Sequence, residues 1–186
     1  MTDRERFLEL CGNIKREGIE DLIAWIETSD FFTAPASTRF HLSCPTGLLK
    51  HSLNVYDETK RLLQVYPEIE VSEETVLICT LFHDLCKANF YGTDYRNVKN
   101  DRGTWEKKEV YTVNEKLCFG GHGVKSFYIV SYFLKLTPEE ASAIAHHMSA
   151  FDEKSEVIGT AYNAFPFAWL LSVADQSATY ITERES

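Results

Sequence analysis

The chain has 186 residues, 44% of them hydrophobic, with 12 Phe, 9 Tyr and 3 Trp, enough for one globular domain read over residues 1–186 with a filled core. A net charge of −9 excludes nonspecific binding to duplex nucleic acid, which needs a basic footprint, but not a short anionic ligand held beside metal ions. Five cysteines without CxxC spacing exclude a zinc knuckle or disulfide framework. The charged start Met1-Thr-Asp-Arg-Glu-Arg6 and the lack of a membrane-spanning apolar run point to the cytosol and no membrane.

Residues 3–16 and 19–28 read as two short helices, the second with Ile19, Leu22, Ile23 and Ile26 at helical spacing. Phe31 to Pro45, with two prolines and several Ser and Thr, reads as an irregular loop. From Gly47, the positions Leu48, Val55, Leu62 and Tyr66 keep a helical period with His51 and Thr59 on the same stripe, until Pro67 stops it. Ser72 followed by Glu73 and Glu74 starts the next helix, a capping hydroxyl before acids in the positive first turn. Val76 to Phe82 is apolar or small except at Thr80, so this helix should be buried around most of its circumference; it ends in His83-Asp84.

Residues 91–119 change character and predict a β-hairpin or extended flap turning near Asn100–Gly103. Gly120-Gly121-His122-Gly123 opens a helix through about Leu134. Thr137-Pro138-Glu139-Glu140 is a capping box with Pro at the first helical position. The last helix begins near Pro166 and carries Trp169, Leu170, Val173 and Ala174 up to Asp175. The sum is an all-α fold with one inserted β-hairpin.

The histidines recur once per predicted helix, as His51, His83, His122 and the pair His146-His147, with His41 just upstream. Histidine is the commonest metal ligand, and a buried carboxylate such as Asp84 or Asp175 is costly unless paired or metal-bound. Taken singly, each is more ordinary as a satisfied core or surface group; taken together, in apolar contexts, they point to a metal centre. Within the pair, the stripe Ala141, Ile144, Ala145, Met148 borders His147 and leaves His146 beyond Ala145, which favours His147 without excluding His146. Lys87, three residues after Asp84, reads equally as a phosphate contact or as a solvated lysine at a helix C-terminus. Arg39 and His41 are candidates for the mouth of a site. The mixed charges of the hairpin, from Arg96 to Glu109, read as a solvated face.

Gly47-Leu-Leu-Lys-His51, His83-Asp84-Leu-Cys-Lys87, Gly121-His122-Gly, Ile144-Ala-His-His147 and Ala174-Asp175 together resemble the HD-domain superfamily of metal-dependent phosphohydrolases, over about residues 39–181. The ordered H…HD…H…H…D set is most similar to its two-metal variant. The resemblance implies an HD-domain helical bundle in which His51, His83, Asp84 and Asp175 hold one metal. His122 and His147 would hold a second, with Asp84 bridging. Asp84 and Lys87 would be the catalytic residues. Donors of N and O type without thiolate suit one or two divalent ions of iron, manganese, nickel or zinc. The implied activity is hydrolysis of a phosphate monoester or diester by a metal-bound hydroxide, on a nucleotide or short oligonucleotide. Lys50 and Cys86 depart from residues common in relatives, but neither removes a ligand, and a GYP-type signature is missing after His147. Two alternatives stand beside hydrolysis: a di-iron oxygenase on the same ligand set, and a noncatalytic HD-fold signalling module.

Overall fold

The computed structural model describes residues 1–184. Among them, eight α-helices run in the order α1 Asp3–Cys11, α2 Ile19–Thr28, α3 Gly47–Val65, α4 Glu73–Phe82, α5 His122–Phe133, α6 Pro138–His146, α7 Ser155–Ala164 and α8 Pro166–Ser177. One antiparallel hairpin, β1 Tyr91–Lys99 and β2 Trp105–Val113, is inserted between α4 and α5, in register from Tyr91↔Val113 to Lys99↔Trp105. The all-α reading with an inserted hairpin therefore holds. Among the described residues, no single helix is long and apolar enough to cross a membrane.

The bundle is organised around α4, whose side chains from Thr75 to Phe82 are all buried. α3 lies against α4 and α8, and α6 joins α4, α5 and α8. Aromatic rings fill the N-terminal side of the core: Phe7 sits 5.1 Å from Phe31 and 6.2 Å from Phe82 between ring centroids. Such tilted and edge-on contacts suit the ring quadrupoles and add to the area they bury.

The first helix is shorter than expected, ending at Cys11 instead of residue 16. Gly12 caps it, and a tight turn from Ile14 N–H to the Cys11 carbonyl turns the chain so that Ile14 is buried. The departure also frees Arg16, whose guanidinium bonds both oxygens of Glu140 at 3.0 Å and one oxygen of Glu74 at 3.1 Å. The strands stop at Val113, so residues 114–121 form a connection and not the remainder of a flap. Helix α7 was not expected; only Ile158 of its ten residues is buried, so its apolar stripe is weak.

Glu140 is fully buried and doubly employed. It closes the capping box with Thr137, as its spacing predicts, and also accepts from Arg16 and the Thr75 hydroxyl. One carboxylate thereby ties the turn after α1 and the starts of α4 and α6. Burial pushes its pKa up, but the Arg16 fork and the Thr137 N–H outweigh that and hold it below the ordinary 4.5. A depressed carboxyl stabilises the fold above its unfolded pKa and loses that contribution as pH falls. Glu140→Ala should therefore cost about 1.5–3 kcal/mol at pH 7, because it removes the buried carboxylate that Arg16 grips and leaves that guanidinium only Glu74 and the Lys135 carbonyl. Urea midpoints should show the gap between wild type and Glu140→Gln narrowing as pH is lowered towards 4.

Candidate metal centre

Four helix termini or turns deliver the central side chains. His51 sits in the second turn of α3, on a stretch where Leu48, Leu49, Leu53 and Val55 are buried around it. His83 caps the C-terminus of α4, and Asp84 leads into a 3-10 turn, Leu85–Lys87. His147 caps α6, and Asp175 lies near the end of α8. Two glycines permit the necessary close approach. A Cβ at Gly47 would stand 2.1 Å from the Leu42 carbonyl oxygen, and one at Gly123 would stand 2.2 Å from that of Ala145. Leu42, Thr46, Asn89 and Ser149 adopt positive φ without being glycine, and they fall in the turns next to His51, Asp84 and His147. Such conformations cost roughly 1–3 kcal/mol each and persist where surrounding structure holds them.

The donor atoms converge. His51 Nε2 lies 3.2 Å from His83 Nε2, 3.1 Å from Asp175 Oδ1 and 3.5 Å from Asp84 Oδ2. Asp84 Oδ2 is 3.5 Å from His83 Nε2, and Asp84 Oδ1 is 3.5 Å from His147 Nε2. Three sets form compact ligand groups, His51-His83-Asp84, His83-His147-Asp175 and His41-His51-Glu183. Atoms bound at about 2.0–2.2 Å to one ion stand roughly 3.0–3.5 Å apart in tetrahedral or octahedral geometry, which these separations match.

The ring orientations agree. His83 Nδ1 donates to the Thr80 carbonyl and His147 Nδ1 to that of Ile144, each at 2.8 Å, since a carbonyl can only accept. Their Nε2 lone pairs therefore point inward. His51 Nδ1 faces Glu183 at 3.0 Å, and Glu183 also accepts from Asn54 at 2.9 Å. Each imidazole thus has its outer nitrogen fixed by an oxygen, the arrangement that orients metal-binding histidines.

Electrostatics call for a cation here. Asp84, Asp175 and Glu183 place three carboxylates in a buried space against the single ammonium of Lys87, which reaches Asp84 Oδ2 at 2.6 Å. Burial opposes the charged form of Asp84, but Lys87 and the imidazoles hold its pKa well below the usual carboxylate range. Burial would likewise neutralise His51, yet Asp175 and Glu183 lift its pKa to about 10, whereas burial takes His83 down to about 4. Asp84 Oδ1 and His147 Nε2 are buried without a hydrogen-bond partner. Orphaned polar atoms of this kind are costly unless something unites them, and a divalent ion does so. The donor set therefore fits a metal.

Of the residues singled out from sequence, His51, His83, Asp84, His147 and Asp175 come together. His122 joins none of the compact groups: its Nδ1 lies 3.4 Å from Cys86 Sγ and its ring packs edge-on against Phe90. Cys86 is a small buried thiol, with a pKa pushed by burial to about 12. His146 points elsewhere, into a shallow depression beside α7. Lys87 is no solvated terminal lysine; it is buried against Asp84. His41 lines the cavity above the cluster with its ring 4.8 Å from that of His51, and Arg39 stacks on Phe40. Glu183 has no signature in the sequence. It is carried back to His51 by a π-helical turn, Ala178–Thr182, that continues α8.

A helical bundle with buried His and Asp side chains converging from several helix ends defines a metal-binding helical domain. The model of the HD-domain family matches residues 48–179, well over half of the chain, and the chain belongs to that family. Searches of curated proteins and of solved structures found no match.

If Glu183 orients His51 as the geometry indicates, Glu183→Gln should weaken metal affinity about 10–100-fold while the helices stay folded. Competition with a chelating dye, read alongside circular dichroism, checks this.

Proposed function

We propose that the chain is a metal-dependent phosphohydrolase acting on a phosphate monoester or diester, with a nucleotide or short oligonucleotide as substrate. Membership of the HD-domain family supports the reading, because that superfamily is typically one of metal-dependent phosphohydrolases. The observation that carries the reading to this chain is the opening of the buried His/Asp cluster onto a cavity of about 410 Å3, with Asp84, Lys87, His147 and Asp175 among its walls. Ligands and substrate can then share one space.

His51, His83, Asp84 and Asp175 would hold one ion. His147 would hold a second with Asp84, and His122, which stands outside the compact groups with Nδ1 towards Cys86, would join it only through Nε2. A divalent ion at such a position lowers the pKa of water and neutralises charge on phosphoryl oxygens. Asp84 is asked to do most, because both of its oxygens face donor groups across 3.5 Å. Lys87 carries a raised pKa: burial lowers it, but Asp84 more than restores it, so its ammonium stays charged to meet a phosphate oxygen. Thr80 and Ile144 carbonyls keep His83 and His147 aimed inward throughout.

Metal-loaded protein should hydrolyse phosphate esters and lose that activity to a chelator. Asp84→Ala should abolish it with the helices intact. The loss should exceed that from Lys87→Ala, which removes one charged hydrogen bond worth roughly 1.5–3 kcal/mol. Steady-state rates on a panel of phosphate esters check the order. Fully loaded protein that turns over no ester but consumes oxygen with a phosphonate or polyol would overturn the hydrolytic reading in favour of an oxygenase.

A further inference from the structure

The cavity over the His/Asp cluster combines polar walls, Asp84, Lys87, His147 and Asp175 among them, with apolar ones. Its rim carries Phe40, Phe151 and Tyr180, together with Met148. These three aromatic side chains are 70%, 71% and 62% exposed, in a chain whose core buries Phe7, Phe31, Phe82 and Phe167 completely. They come from three separate segments: the loop before α3, the 3-10 turn Ser149–Phe151 after His147, and the turn Ala178–Thr182 after α8. The same turns therefore hold the metal ligands at one end and present an aromatic ring to the cavity at the other. Isolated exposed aromatics are ordinary, but three gathered around one opening form a surface suited to a flat, apolar ligand.

We infer that Phe40, Phe151 and Tyr180 form a stacking site for a single nucleobase, whose attached phosphate reaches Lys87 and the metal ligands. The inference rests on the phosphohydrolase reading above for the phosphate end alone. A base offers a π-face of the size these rings provide, and stacking on aromatics tolerates differences between bases. The phosphate end meets charge, because Lys87 lies at the base, whereas the Arg39 guanidinium sits 5.1 Å over one face of the Phe40 ring and leaves the other face for the base. At about 410 Å3 the cavity is near the small end of ligand pockets, roughly 300–1,000 Å3, and takes one nucleotide unit. A longer strand would place only its terminal nucleotide here.

The test compares adenosine 5′-monophosphate with ribose 5-phosphate, which share the phosphate and sugar and differ in the base. On metal-loaded wild type, kcat/KM should favour the nucleotide by about tenfold or more. Phe151→Ala and Tyr180→Ala should each lower that preference at least about 5-fold, towards parity, as the loss of one stacking partner predicts. Tyr132→Ala, at an 80% exposed position on α5 that does not line the cavity, should leave it unchanged. Hydrolysis of both compounds at equal kcat/KM, or a preference that survives both rim variants, overturns the stacking site while leaving the hydrolase intact. If neither is hydrolysed, calorimetric affinities of the same two compounds replace the rates. Nucleotide binding that the rim variants weaken then upholds the stacking site, while the ester panel decides the hydrolytic reading. Equal affinities, or no binding of either compound, overturn the stacking site.

Discussion

The Asp84 carboxylate, buried among the imidazoles of His51, His83 and His147, is the constraint on which the site depends. Its neighbours include two further carboxylates, Asp175 and Glu183, and only one ammonium, from Lys87. A collection of buried charges with this sign excess is unfavourable in an apolar bundle unless positive charge is added, as the proton that Asp175 and Glu183 hold on His51 or as a bound cation. The surrounding structure holds the group together: carbonyl oxygens fix two rings, Glu183 fixes the third, and the lone pairs left over converge.

That convergence requires several segments to stop or turn at one place. α4 and α6 end at His83 and His147, and α8 passes into a π-helical turn just beyond Asp175. Non-glycine residues with positive φ and two glycines that admit backbone oxygens at close range make these junctions possible. Away from the His/Asp cluster, Glu140 plays a comparable part for the architecture, since its two oxygens gather Arg16, Thr75 and the cap of α6. One buried carboxylate organises the site and another the packing of the helices that carry it.

The hairpin stands apart from this economy. Tyr95 and Trp105 are exposed, and Arg96 lies directly opposite Lys108 in the register. Like charges in that relation weaken a strand pair, and a two-stranded sheet is marginal by itself. The base of the hairpin is anchored where Tyr91 donates its hydroxyl hydrogen to the Ala36 carbonyl, in the loop that also carries Phe40 and His41. The insertion is thereby coupled to the loop at the rim of the cavity and, through Tyr91, to the edge of the hydrophobic core.

The sequence by itself determined the helical class, the single hairpin and the set of side chains from which the cluster is drawn. Those properties are local: the unbroken apolar run before His83, the capping box at Thr137, and the stripe that borders His147 can all be read within a few residues. It did not determine where α1 ends, because Ile14 and Arg16 leave helical geometry to reach partners far along the chain. Nor did it show α7, whose buried face is a single isoleucine. Glu183 was invisible for the same physical reason that the rim aromatics were: a carboxylate or a ring acquires its role from what the fold sets across from it. Only the tertiary structure decided that His122 turns to Cys86, that Lys87 is buried against Asp84, and that His51 is steadied by a residue 132 positions away. Hydrophobic period and capping are written along the chain, whereas the pairing of buried charges is settled by packing.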